Sequence, residues 1–130
     1  MIYEGEYIKG ERNGKGKEYK GSNLIFEGKY LNGKRNGKGK IYDEYGKLIF
    51  EGEYLNGQRN GKGKEFNLDG KLKFEGEYLY DKIRKGKEYN NYKLIFEGEY
   101  LNGKRWNGKG KEYDSGLLIF EGNYLNGEKK

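Results

Sequence analysis

The chain is written in a repeating phrase. An aromatic residue followed by Glu-Gly-x-Tyr occurs as YEGEY at 3–7, FEGKY at 26–30, FEGEY at 50–54, 74–78 and 96–100, and FEGNY at 120–124, at spacings of 23, 24, 24, 22 and 24 residues. A second phrase lies between these: KGKEY at 15–19, 85–89 and 109–113, KGKIY at 38–42 and KGKEF at 62–66. A period of this length makes each unit one supersecondary element that buries its apolar face only against its neighbours. The repeat therefore decides the fold before any single residue does.

Parity identifies the element. In LIFEGEYL, residues 48–55, Leu48, Phe50, Gly52 and Tyr54 fall on one side and Ile49, Glu51, Glu53 and Leu55 on the other, the period-two pattern of a pleated strand. Glycine is too frequent for helix, at roughly 1 kcal/mol each relative to alanine. NGQRNG, residues 56–61, supplies turn residues with access to positive φ, so each unit reads as a β-hairpin. A four-residue turn places Tyr54 opposite Gly63 and Glu53 opposite Lys64, and likewise Tyr30 opposite Gly39 and Tyr100 near Gly110. One face then carries aromatic rings lying over glycine, and the other carries columns of Glu beside columns of Lys. By strict alternation Tyr42, Phe66 and Tyr113 fall on the charged face; a bulge would return them to the aromatic one. Short polar connectors such as KGSN, DEYGK and NNYK join hairpin to hairpin without a break in composition. The prediction is all-β: one elongated, twisted, single-layer antiparallel sheet over residues 1–130, of about five and a half hairpins. Its eleven strands at about 4.8 Å would make a ribbon about 50 Å long.

Composition limits the core and the chemistry. Ala, Val, Thr, Pro, Cys and His are absent, while Phe, Trp and Tyr make 16% of the residues, so aromatic rings are the only material for a dry interior. Without Cys or His there is no thiolate, no imidazole base and no common transition-metal ligand, and no cofactor or metal site is expected. Glu27, Glu51, Glu75, Glu97 and Glu121 are equivalent copies, whereas acid–base catalysis needs carboxylates in different surroundings. The NGKGK stretches precede strands and lack the Gly-Lys-Ser/Thr ending of a phosphate loop. An enzyme is excluded on these grounds. The opening MIYEGEYIKG has no apolar run, so the expected location is cytoplasmic, with a position at the membrane surface as the alternative.

Aromatic-Glu-Gly-x-aromatic, a basic Gly/Asn turn and then Gly-x-Gly, at a period near 23, resembles the MORN (membrane occupation and recognition nexus) repeat over essentially the whole chain. The resemblance implies a ribbon of successive hairpins. Tyrosine at the second aromatic position, and an aromatic three residues after the second glycine in GKGKEY, resemble the family's second, bacterial-type variant, some of whose proteins carry antitoxin-like labels.

These features lead to a non-catalytic protein-interaction module or scaffold that presents an aromatic and charged surface. The aromatic-face candidates are Phe26, Tyr30, Phe50, Tyr54, Phe74, Tyr78, Phe96 and Tyr100. A second candidate patch is the irregular tips of the fourth and fifth hairpins, where Tyr80, Ile83 and Trp106 replace Asn, Arg and Gly. The first alternative is a peripheral adaptor that binds acidic lipid through a basic hairpin-tip rim of Lys34, Arg35, Arg59, Lys82, Arg84, Lys104 and Arg105. A second alternative, an antitoxin-like or immunity protein that binds a partner protein, is implied by the resemblance alone. The terminal strands offer edges for self-association, and interleaved Glu columns disfavour nucleic acid.

Overall fold

In the computed structural model, which describes residues 1–130, the chain forms one open sheet of twelve antiparallel strands whose spatial order is their sequence order. The strands are β1 (Ile2–Ile8), β2 (Glu11–Lys20), β3 (Asn23–Leu31), β4 (Lys34–Tyr42), β5 (Leu48–Leu55), β6 (Gln58–Phe66), β7 (Leu72–Leu79), β8 (Lys82–Asn90), β9 (Lys93–Leu101), β10 (Lys104–Asp114), β11 (Leu117–Leu125) and β12 (Glu128–Lys129). The all-β expectation holds. The twelfth strand, two residues long, carries no repeat phrase by which sequence could announce it.

The turns and register differ from the sequence reading. At the hairpin tips both residues of the two-residue loops Asn32-Gly33, Asn56-Gly57, Tyr80-Asp81 and Asn102-Gly103 have positive φ, for example 50° at Asn56 and 86° at Gly57. This is the type I′ turn, which matches the twist of the flanking strands and favours Asn-Gly. A tighter turn moves the pairing: Tyr54 faces Arg59 and Gly52 faces Gly63, while Glu51 and not Glu53 faces Lys64. Tyr30 likewise faces Arg35 and Tyr100 faces Arg105. Between these pairs Asn60, Gly61 and Lys62 bulge opposite Glu53 alone, and the Lys62 backbone N–H donates to the Glu53 carboxylate at 2.8 Å.

Rings still lie over glycine, but Phe26 and Phe50 lie over Gly39 and Gly63 of their own hairpins, and the tyrosines over glycine of the preceding hairpin. A Cβ built on Gly63 would stand 2.8 Å from the Tyr78 ring, one on Gly39 3.2 Å from Tyr54, and one on Gly110 2.5 Å from Tyr124. Only hydrogen at these positions lets a ring lie on the neighbouring strand, which explains why Gly-x-Gly recurs. Phe26, Tyr30, Phe50, Tyr54, Phe74, Tyr78, Phe96, Tyr100 and Tyr124 are the buried core.

The open question of Tyr42, Phe66 and Tyr113 is answered by bulges placed in the partner strands. Tyr42 faces Leu48 while Ile41 faces Phe50, so Ile49 is the extra residue, and the same shift recurs at Glu65/Phe66 and Glu112/Tyr113. Tyr42 keeps its alternation and its hydroxyl donates to Glu27 on the charged face at 2.5 Å.

The fourth and fifth hairpins depart from the pattern. Elsewhere a tip is tied to the one before it by a 2.9 Å backbone bond, from Gly33 N to Arg12 O, Gly57 N to Arg35 O, Asp81 N to Arg59 O and Gly127 N to Trp106 O. Gly103 makes no such bond to the fourth hairpin. In the fifth hairpin Gly98 faces Gly108 in place of Gly110, with Trp106 as the bulged residue. β10 has slid two residues along β9 relative to the other hairpins.

Candidate functional site

The ring face is a continuous zigzag. Phe26 meets Tyr30 and Tyr54, Phe50 meets Tyr54 and Tyr78, Phe74 meets Tyr78 and Tyr100, and Phe96 meets Tyr100 and Tyr124. Every contact is edge-to-face, with centroids between 5.3 Å (Phe96–Tyr100) and 5.9 Å (Phe50–Tyr54). That geometry sets the positive edge of one ring against the negative face of the next. All eight aromatic-face candidates are therefore brought together, and all are buried.

What covers them is polar. The guanidinium groups of Arg35 and Arg59 each lie 4.0 Å above the rings of Phe26 and Phe50, and that of Arg105 lies 5.0 Å above Phe96. The second phrase supplies the matching acid. Glu18 accepts the Tyr30 hydroxyl and the Arg35 Nε at 2.9 Å, with Arg12 at 3.9 Å; Glu88 accepts the Tyr100 hydroxyl at 2.6 Å and Arg105 Nη2 at 2.6 Å; Glu65 accepts the Tyr78 hydroxyl. These glutamates were not among the sequence candidates. Parity was the available signal, since Gly63 and Glu65 stand two apart and share a face.

The electrostatics follow from this cover. Burial alone would raise the Glu18 and Glu88 carboxyls, but bonds from Arg35 and Tyr30, and from Arg105 and Tyr100, outweigh it and hold both below the usual range. Tyr30, Tyr78 and Tyr100 are raised, first by burial and then by the carboxylate each hydroxyl serves. On the other face Tyr42 is pushed up to about 12 by burial and by Glu27.

The opposite face is open. A groove of about 1130 Å³ crosses β1 to β8, lined only by Gly, Lys and Glu. Its floor is the backbone of the glycine row, Gly16, Gly28, Gly39, Gly52, Gly63 and Gly76 among them, and its walls are two charged ladders. Along one wall Glu27, Lys40, Glu51, Lys64 and Glu75 alternate strand by strand. The ion pairs on this face, Lys85–Glu77 at 3.1 Å, Lys87–Glu97 at 3.9 Å and Lys111–Glu121 at 3.5 Å, are solvated.

The remaining candidates disperse. Tyr80 is an exposed turn residue whose N–H bonds back to Asn60 in the third hairpin, Ile83 faces Tyr78 against the core, and Trp106 lies toward Gly127 of the following tip. Of the tip cations, Lys34, Lys82, Arg84 and Lys104 are exposed, while Arg35, Arg59 and Arg105 fold back over the rings. No group of three or more acidic side chains is arranged to hold a metal, and no helix is long and apolar enough to cross a membrane.

Fold and faces together define a repeat protein built from hairpins, with one closed and one open surface. The family model of the MORN repeat matches residues 3–24, 26–44, 50–67 and 96–117, and the chain belongs to that family. MORN repeats are non-catalytic modules that generally mediate protein or lipid interactions. No curated protein matches the chain in sequence.

Proposed function

We propose that the chain is a non-catalytic protein-interaction module or scaffold whose partner lies along the charged face. The groove supports this reading: it is long, open, floored by backbone and walled by alternating charge. A flat floor admits an extended segment closely, and alternating walls select a segment of mixed charge in one register. The aromatic-face residues Phe26 to Tyr100 act at second hand, as the rigid backing that holds both surfaces in shape. Tyr80, Ile83 and Trp106 add contacts at the tips. A partner captured from the source organism should be lost from the triple variant Lys17→Ala, Lys40→Ala, Lys64→Ala while its melting temperature stays within a few degrees of wild type. Capture at wild-type strength would overturn the groove as the docking face.

The second reading, an adaptor on acidic lipid, is favoured by the exposed Lys34, Lys82, Arg84 and Lys104 along the tip edge, with Asp43, Glu44 and Asp69 in the loops of the opposite edge and Asp114 at the end of β10. It expects flotation with phosphatidylserine vesicles at low salt and release at high salt. Absence of binding at low salt would remove it. The likeness to the bacterial-type variant supports a third reading, that the chain is itself an antitoxin-like or immunity protein that binds a partner protein, and its genomic neighbours test it.

A further inference from the structure

Five tyrosines of the ring face sit in equivalent slots, each between a position at the end of the second phrase and a position just after the tip turn. In the first slot Glu18, Tyr30 and Arg35 are joined, and in the fourth Glu88, Tyr100 and Arg105. In the fifth, Glu112 meets Lys129 at 2.5 Å, and Tyr124 accepts from Arg105 at 3.0 Å. The second slot holds Ile41, Tyr54 and Arg59. Ile41 faces Phe26 and Phe50 across the two neighbouring strands, the place that Glu65 takes opposite Phe50 and Phe74.

Two groups in this slot are left without what their counterparts have. The Tyr54 hydroxyl has no hydrogen-bond partner and is closed off from solvent. Arg59 makes no ion pair, whereas Arg12, Arg35 and Arg105 each do. Glu65, on the same strand as Arg59, is engaged by the Tyr78 hydroxyl. Arg59 also bounds an adjoining opening of about 370 Å³ lined by Ile49, Phe50, Phe66 and Leu68 on one hand and by Glu65, Asn67 and Lys73 on the other, with two cations and one carboxylate.

We propose that the slot of Ile41, Tyr54 and Arg59 is a docking site for an acidic side chain carried by a partner protein. The partner's carboxylate takes the place that the chain's own glutamate fills in the sister slots. It enters past Ile41, which must turn aside to uncover the buried Tyr54 hydroxyl, accepts that hydroxyl and pairs with Arg59, with Arg35 and Lys73 nearby to stabilise it and Glu65 opposing any second negative charge. The next slot is the mirror case: Ile83 stands where an arginine would, and Glu65 holds only the tyrosine. A segment offering an acid and a base about 10 Å apart, the rise of two strands, would complete both. This inference goes beyond the groove reading by adding a partner contact on the ring face, and its test needs no natural partner, so either can fail while the other stands.

The test follows arginine side-chain N–H resonances while the full chain is titrated with the peptide acetyl-Leu-Glu-Leu-amide, its Gln counterpart, or sodium acetate, at constant ionic strength. Arg59 should respond to the Glu peptide with a saturable shift several times larger than those of Arg12, Arg35 and Arg105. The Gln peptide should leave Arg59 unmoved, and acetate should bind at least tenfold more weakly than the Glu peptide. Ile41→Glu restores the carboxylate from within, as sister units show the fold accepts, and should weaken the peptide response more than tenfold. Arg59→Lys should weaken it as well. Equal shifts at all four arginines, or an undiminished response in Ile41→Glu, would overturn the site. Acetate binding as tightly as the peptide would assign it to free carboxylates and overturn the partner side chain.

Discussion

The two faces of the sheet use the same side chains to opposite ends. On the ring face Glu18 and Glu88 are drawn in beside buried rings, each bonded by a tyrosine hydroxyl and an arginine. On the groove face Glu97 and Glu121 stand in water beside Lys87 and Lys111, at 3.9 and 3.5 Å. A charge shielded from solvent and held by hydrogen bonds weighs far more than one that water screens. Stability therefore belongs to the ring face, which leaves the charges of the groove face free to vary.

The largest effect expected is from removing a ring. Phe50→Ala takes away the ring that links Tyr54 to Tyr78 and supports Arg59, and should cost about 3–5 kcal/mol in denaturant melts. Filling the gap beneath the rings comes next. The Cβ of Gly63→Ala would stand 2.8 Å from Tyr78 and 2.9 Å from Phe50, so the variant should lose about 1–3 kcal/mol, or more if the strands separate.

Third is the buried acid. Glu88→Gln keeps the shape but loses the charge that holds Arg105, and should cost about 1.5–3 kcal/mol near neutral pH. Because the native Glu88 carboxyl is held below the ordinary glutamate value of 4.5, its contribution is present above that pH and is lost as pH falls through the native value. Wild type should thus weaken on acidification, and the variant should follow a shallower slope. At the alkaline end the native tyrosines Tyr30, Tyr78 and Tyr100 lie above 10.0, so their contribution is intact below that pH and is lost as pH rises further. The smallest effect belongs to the groove: Lys111→Ala should shift the melting midpoint by no more than about 0.5 kcal/mol, less at high salt. A loss as large as that of Glu88→Gln would erase the distinction between the faces.

Period and parity made the all-β array, the ring rows and the Lys/Glu ladders legible, because each is a property of single strands. Register was not. It depends on whether Asn56-Gly57 closes alone or NGQR closes as four, and type I′ closure with its bulge moved Tyr54 from Gly63 to Arg59. The inward fold of Arg35, Arg59 and Arg105 was hidden for the same reason, since facing a tyrosine is what lays each across the rings. The slide at β10 needed the geometry of two hairpins at once: a short fourth tip and the bulged Trp106.

The central claim is that tyrosine rings, those of Tyr54, Tyr78 and Tyr124, rest on a glycine of the hairpin before, giving a one-layer sheet its dry side. Nuclear Overhauser contacts from the glycine α-protons test this most directly. The account predicts that Gly63 sees Tyr78 and Gly39 sees Tyr54, with both glycine signals shifted upfield by the rings above them. A Gly63 whose strongest tyrosine contact is Tyr54, or glycine signals at unperturbed positions, would contradict it.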